Sequence, residues 1–312
     1  MRTTCSAFCI LASLAILPLQ FAVGARSIDE SQHPEKQELT KVDVKIDVSL
    51  VLVPVSVTDS TDRPMINLQK QDFVLLQDNE RQNIEYFSRE DVPISMGVLL
   101  DVSRSMATKL AVEQAAVTEF VINANEGDDY FTIAFADQPK LISTSTQSID
   151  TLRTSIDSLT ANGNTAVFDA ISDGLDQMKS AKRRRKALLV ISDGGDNHSR
   201  HSLREITRLV QDSDIEVYAI DTFAPGPLNA VNDVLGNRWL NRITNATGGE
   251  TIAVHSREDI PAAAEKISEA IRSRYVLGYR PTRANGADRH KIRVLLASRN
   301  PTASHIHYKS SF

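Results

Sequence analysis

The sequence predicts an α/β fold: a doubly wound, mainly parallel sheet flanked by helices, with a small β-sandwich formed from the N- and C-terminal segments. Three observations predict it. Short apolar runs alternate with segments of helical spacing after Pro93, most of these runs are followed at once by aspartate, and both flanking regions alternate apolar and polar residues. Continuous apolar runs are typical of parallel strands buried on both faces, whereas a period of two is typical of strands with one exposed face.

The apolar runs define the order of the predicted sheet. They cover residues 94–100, 130–136, 187–192, 215–220 and 250–254. Between them lie segments with helical spacing, such as Val167, Ile171, Leu175 and Met178. In open parallel sheets, ligands bind beyond the carboxyl ends of the strands. We therefore expect a site at the edge where the aspartates follow the runs.

The flanks of this α/β region are rich in strand patterns. Residues 41–92 alternate in period two and contain several turn signals, and residues 275–312 return to the same pattern. Neither flank has enough strands to bury a core by itself. We expect residues 275–312 to pack with 41–92, with the domain at 93–274 inserted between them.

The N-terminus has the pattern of a secretory signal at residues 1–25: Arg2, then an apolar stretch, then small residues suited to cleavage. Residues 26–40 are polar and predict a linker. This predicts an exported protein, periplasmic or secreted, without an integral membrane span after cleavage; an uncleaved N-terminal membrane anchor is the alternative. Both cysteines, Cys5 and Cys9, lie in the signal, which excludes disulfides, thiolate catalysis and cysteine-bound zinc from the mature chain.

Charge and motif content exclude other classes. Without Arg2 the chain has 34 basic and 40 acidic residues, a mild negative balance that argues against nucleic acid as a partner. The sequence has no nucleophile elbow, no His-Glu-x-x-His and no phosphate-binding loop. It therefore predicts a protein that is not an enzyme. A metal-assisted hydrolase with Asp101 as nucleophile and a structural envelope component are the alternatives.

Oxygen-bearing side chains gather in three predicted loops at one edge of the sheet. Asp101, Ser103 and Ser105 follow the first run, Thr165 stands in a Gly-Asn-Thr-Ala loop, and Asp193 follows the run at 187–192. Carboxylates and hydroxyls are hard ligands that suit Mg²⁺. These residues are our predicted metal site.

This set resembles the metal-ion-dependent adhesion site (MIDAS) of the von Willebrand factor type A (VWA) family. The resemblance implies that Ser103 and Ser105 bind the cation directly, Thr165 in some states, and Asp101 and Asp193 largely through water. It also implies Mg²⁺ as the cation, with Mn²⁺ or Ca²⁺ as alternatives. The implied partner is a protein that presents an Asp or Glu carboxylate, which suggests a role in cell adhesion.

The wider sequence is similar to a bacterial exported variety of the family, in which a β segment precedes the domain and a Tyr-Val-Leu-Gly-Tyr-Arg-Pro segment follows it. One departure is Arg104, where related domains often have glycine; we expect its side chain to point into solvent.

Other polar residues have simpler interpretations. Asp137 and Asp221 are expected to be caps or turn residues, and Asp196 and Asn197 to cap a loop rather than to form an accessory cation site. The basic run at 182–186 is expected to be a solvated helix end, with binding to polyanions or anionic lipid as the alternative. His305 and His307 are expected at the surface rather than at a metal.

Overall fold

The computed structural model describes residues 50–311 apart from 62, 91, 123–124, 126, 147, 194, 223–229, 255, 282–288 and 298–303. The predicted signal at 1–25, the linker at 26–40 and the start of the predicted β-rich segment at 41–49 lie outside the described residues.

The described elements alternate between strands and helices in the middle of the chain. The strands are β1 (Val51–Asp59), β2 (Phe73–Gln77), β3 (Glu80–Gln82), β4 (Ile84–Glu90), β5 (Ile94–Asp101), β6 (Asp129–Phe135), β7 (Pro139–Thr146), β8 (Arg185–Ser192), β9 (Glu216–Asp221), β10 (Thr251–Ala253), β11 (Arg274–Tyr279), β12 (Ile292–Leu296) and β13 (Ser304–Tyr308). The helices are α1 (Leu110–Ile122), α2 (Ile149–Asp157), α3 (Val167–Met178), α4 (Leu203–Asp212), α5 (Ala230–Thr247) and α6 (Ile260–Arg272), with short 3₁₀ turns at Lys70–Asp72, Arg104–Thr108 and Arg257–Asp259.

The central sheet has the strand order β10-β9-β8-β5-β6-β7. Its pairs are parallel from β10 to β6, and only β7 at the edge is antiparallel. All eight residues of β5 are buried, as expected for a strand covered on both faces. The predicted α/β fold with a mainly parallel sheet flanked by helices is confirmed.

Helices cover both faces of this sheet. Val98 and Leu100 of β5 belong to an apolar cluster with residues of α1, α2 and α6. Leu99, between them, belongs to a second cluster with α3, α4 and α5. Because neighbouring strand residues point to opposite faces, one strand supplies both cores. The sheet is thereby packed on both faces, and the loops at its carboxyl edge begin at buried strand ends.

Strands from the two ends of the described chain pair with one another. β1 pairs with β11 and β13, β11 also pairs with β4, and β2 pairs with β12 and β3. Their inward side chains form a third apolar cluster. In it, the centroid of the Tyr275 ring lies 5.2 Å from that of the Phe73 ring and 5.7 Å from that of the Phe87 ring.

Arg274 connects this β structure to the central sheet. It begins β11, is 2% exposed, and forms an ion pair with Glu216 at the start of β9. This contact lies at the amino end of β9, so it is remote from the carboxyl edge where the candidate site lies. None of the helices in the described part of the chain has the length and apolarity needed to cross a membrane.

Candidate metal centre

Asp101 lies at the centre of the site. It is the last residue of β5 and is completely buried. Its Oδ1 accepts a hydrogen bond from the Ser103 amide (2.8 Å), and its Oδ2 accepts one from the Ser192 hydroxyl (2.6 Å). Each carboxylate oxygen is therefore positioned by the protein itself.

Burial raises the pKa of Asp101 to about 6. The hydrogen bonds from Ser192 and Ser103 lower it, and the negative charge of Asp193 raises it further. Desolvation outweighs the hydrogen bonds because removal from water disfavours the charged form of the carboxyl group. A positive charge placed nearby would stabilise the ionised carboxylate.

The two serines of the motif converge. Their hydroxyl oxygens lie 3.0 Å apart, with Ser103 buried and Ser105 exposed at the rim. The side chain of Arg104, between them, is exposed as expected. Its amide donates to the Gly163 carbonyl (3.1 Å) and so joins the first loop to the second.

The second loop depends on Gly163 and Asp137. Gly163 has φ of +90°, and a Cβ there would lie 2.7 Å from Asp137 Oδ2. The Asp137 Oδ1 accepts from the amide (2.9 Å) and the side-chain Nδ2 (2.7 Å) of Asn164. Asp137 therefore holds the loop in place, as expected for a turn residue.

The third loop is bound to the second through Thr165. The Thr165 amide donates to Asn197 Oδ1 (3.0 Å), and its carbonyl accepts from the amides of Asn197 (3.0 Å) and His198 (3.1 Å). Asp196 accepts from the Phe168 amide (3.1 Å) near the start of α3. Asp196 and Asn197 thus cap backbone groups, as predicted.

The structure therefore brings the predicted residues to one edge. It joins the loops of Ser103, Ser105 and Thr165 by hydrogen bonds, with Thr165 buried. Asp193 follows Ser192, the residue that binds Asp101, and its side chain is 20% exposed.

The sequence prediction missed two charged residues beside this site, Lys109 and Glu113. The Lys109 ammonium lies 3.9 Å from Asp193 Oδ2, and both residues, Lys109 and Glu113, are buried. Burial raises the pKa of Glu113 to about 8, and the negative charge of Asp101 acts in the same direction. A signal was present: Glu113 lies on the apolar stripe of α1, three residues after Leu110 and four before Val117.

The donor set fits a hard divalent cation. Among the described residues, no group of three or more His, Cys, Asp or Glu side chains is placed to hold a metal ion. A cation here would therefore depend on the serine and threonine hydroxyls, which are ligands suited to Mg²⁺.

The remaining charged candidates have structural contacts. In the basic run, Arg185 and Lys186 belong to β8 rather than to a solvated helix end, and they donate to the carbonyls of Ile271 and Met178. His305 is exposed as expected, whereas His307 is half-buried and lies 3.6 Å from Glu250.

Comparisons with known proteins agree with this geometry. The sequence profile of the von Willebrand factor type A domain matches residues 96–195, which include all five predicted site residues. A comparison with curated proteins found no match.

The chain is similar to solved structures from several sources. One is proximal thread matrix protein 1 from the mussel byssus, with a zinc-occupied MIDAS motif (14% identity, 62% of this chain and 49% of that chain, TM-score 0.50). Another is a mutant of the PilB minor pilin from Streptococcus sanguinis (12% identity, covering 60% of this chain and 63% of that chain, TM-score 0.50). A third is an aerotolerance-related membrane protein from Bacteroides fragilis (20% identity, covering 57% of this chain and 98% of that chain, TM-score 0.46). Residues 96–195 match the von Willebrand factor type A domain, and the parallel sheet with helices on both faces agrees with that match.

Proposed function

We propose that the chain is an exported protein-binding module that holds a partner's Asp or Glu side chain through a divalent cation. The cation is Mg²⁺, with Mn²⁺ or Ca²⁺ as alternatives, and its residues are Asp101, Ser103, Ser105, Thr165 and Asp193. The observation that carries the proposal is the meeting of hydroxyls and carboxylates in three hydrogen-bonded loops at the carboxyl edge of the sheet.

The contacts of these residues support different roles for them. The Ser103 and Ser105 hydroxyls would contact the cation directly, joined by Thr165. Asp101, whose two oxygens already accept hydrogen bonds from protein groups, would orient the hydroxyls and bound water from behind. When bound, the cation supplies an electrophilic position for a carboxylate, because neutral hydroxyl ligands leave its charge largely uncompensated.

One similarity supports a metal-dependent role: the mussel byssus protein with this fold has a zinc-occupied MIDAS motif. A second structure of the same fold is a minor pilin. Neither similarity favours an enzyme.

We also propose residues 93–274 as the extent of the domain. β5 begins at Ile94, α6 ends at Arg272, and β11 from Arg274 pairs with β1 and β4 instead of with the central sheet.

The metal site is tested by titrating the purified chain with Mg²⁺ and Mn²⁺ in a calorimeter. Asp101→Ala is expected to abolish binding while its circular dichroism stays native. Asp150→Ala, at an exposed aspartate of α2, is the control and should bind as the unsubstituted chain does. Undiminished affinity in Asp101→Ala would contradict the site assignment.

The partner's chemistry is tested with a panel of immobilised acidic peptides and their amide counterparts. Retention is expected to require both a carboxylate and the divalent cation, so it should disappear with chelator and in the amide series. Equal retention of the Asp and Asn peptides would refute coordination through a carboxylate. Export is tested by cell fractionation, with mass spectrometry of the mature N-terminus expected to show cleavage after residue 25.

A further inference from the structure

Lys109 is a buried cation beside the predicted metal ligands. It follows the 3₁₀ turn Arg104–Thr108 and precedes α1, its side chain is 8% exposed, and its ammonium lies 3.9 Å from Asp193 Oδ2. Lysine is rarely buried unless an acidic partner is present. Here that partner is one of the residues predicted to hold the divalent cation.

Glu113 provides a second acidic group on the same side. It stands four residues after Lys109, and its amide donates to the Lys109 carbonyl (3.1 Å), so the two residues lie one helical turn apart. Glu113 is fully buried, and neither of its carboxylate oxygens has a hydrogen-bond partner among the described residues. Its charge interacts with those of Asp101, Lys109 and Asp193. A buried carboxylate without a partner is costly, so its presence behind the site calls for a compensating charge.

We propose that Lys109 is a tethered competitor of the divalent cation for Asp193, and that Glu113, which carries a proton in the metal-free chain, ionises when the cation binds and so offsets this competition by adding negative charge beside the site. The inference rests on the proposed function, since it concerns the same site. It assigns the two residues opposite effects: Lys109 weakens cation binding and Glu113 strengthens it.

The positions of the two side chains explain why Lys109 weakens cation binding and Glu113 strengthens it. An ammonium 3.9 Å from Asp193 repels a second cation and must give up part of its attraction to that carboxylate when a metal binds. The Glu113 carboxylate attracts both the ammonium and the metal, and it has no other cation to neutralise it among the groups that act on its charge. Residues that support metal ligands from behind typically change metal affinity by about 10- to 100-fold.

The test measures Mg²⁺ and Mn²⁺ affinity by calorimetry in Lys109→Met, Glu113→Gln and the double variant. Lys109→Met is expected to tighten binding about tenfold or more, and Glu113→Gln to weaken it by a similar factor. In the double variant the effect of Glu113→Gln should be smaller than in the unsubstituted chain, because part of its role is to neutralise Lys109. Lys179→Met is the matched control, since Lys179 also pairs with an aspartate, Asp176, but is 79% exposed at the end of α3.

The calorimetric results can overturn each part of the proposal separately. Weaker or unchanged affinity in Lys109→Met, with native circular dichroism, would overturn the competitor role; Lys109→Gln repeats the test if the methionine variant does not fold. Strictly additive effects in the double variant would overturn the link between the two residues. If the unsubstituted chain binds no divalent cation, the proposed function fails, while a gain of binding in Lys109→Met would still support the competitor role and its absence would refute it.

Discussion

The buried Glu113 should make the stability of the metal-free protein depend on pH. Its pKa is about 8 in the folded chain against 4.5 as the ordinary value, so the folded state keeps a proton that the unfolded state has lost. Folding then takes up a proton between these values, and the free energy of unfolding falls as pH rises through the window by about 1.4 kcal/mol per pH unit. Below about pH 4.5 Glu113 is protonated in both states and does not lower the free energy of unfolding. Above about pH 8 it is ionised in both states, and the free energy of unfolding no longer changes with pH because of this residue.

Replacing Glu113 with glutamine removes this proton uptake while keeping the shape of the side chain. The glutamine variant and the unsubstituted chain should therefore have similar stability near pH 4.5. They should diverge as pH rises, with the variant more stable by up to about 4 kcal/mol at pH 7.5.

The assay is urea unfolding monitored by circular dichroism at half-unit pH steps, with chelator present throughout. Glu265→Gln serves as the control because Glu265 is exposed on α6, and it should follow the pH profile of the unsubstituted chain. Parallel pH profiles for Glu113→Gln and the unsubstituted chain would refute the argument that Glu113 folds in its protonated form.

Further predictions concern the residues that position the site. Ser192→Ala removes the donor to the buried Asp101 Oδ2; it should lower the free energy of unfolding by about 2 kcal/mol and weaken Mg²⁺ binding, as measured by urea unfolding and calorimetry. Burial opposes ionisation of Asp169, but hydrogen bonds from His201 and Arg200 outweigh it and lower its pKa to about 2. Asp169→Asn should therefore cost about 2 kcal/mol at pH 7, a difference that shrinks as pH falls from about 4 to 2. Gly163→Ala should weaken Mg²⁺ binding about tenfold or more, because its φ of +90° and the contact with Asp137 both disfavour a Cβ.

Each of these predictions has a result that would contradict it. Native Mg²⁺ affinity in Ser192→Ala would show that Asp101 needs no positioning from that hydroxyl. A stability loss in Asp169→Asn that is the same at pH 2 and pH 7 would exclude the charge as its cause. For Gly163→Ala, full affinity together with unchanged circular dichroism would mean that the loop tolerates a side chain, and Gly195→Ala, where a Cβ would meet only Asp193 at 3.7 Å, is the comparison.

The charged residues behind the site show where sequence reasoning stops. Lys109 and Glu113 belong to residue types that are almost always solvated, and a four-residue spacing on a helix is common at exposed faces. Whether such a pair faces water or a buried carboxylate depends on how α1 packs against the sheet. The edge strand β7 was missed for a related reason: it begins with Pro139 and ends in hydroxyl-bearing residues, so it lacks the apolar run of a buried strand.

The sequence by itself determined the five parallel strands of the central sheet and the edge at which Asp101, Ser103, Ser105, Thr165 and Asp193 lie. Apolar runs and helical spacing are local patterns, and parallel strands necessarily place their carboxyl ends together. Only the tertiary structure decided the contacts made from elsewhere in the chain: the Ser192 hydroxyl on Asp101, the Asn197 side chain on the Thr165 amide, and the Lys109 ammonium beside Asp193. These depend on packing between elements far apart in sequence, where a shift of a few ångströms separates a hydrogen bond from a solvated side chain.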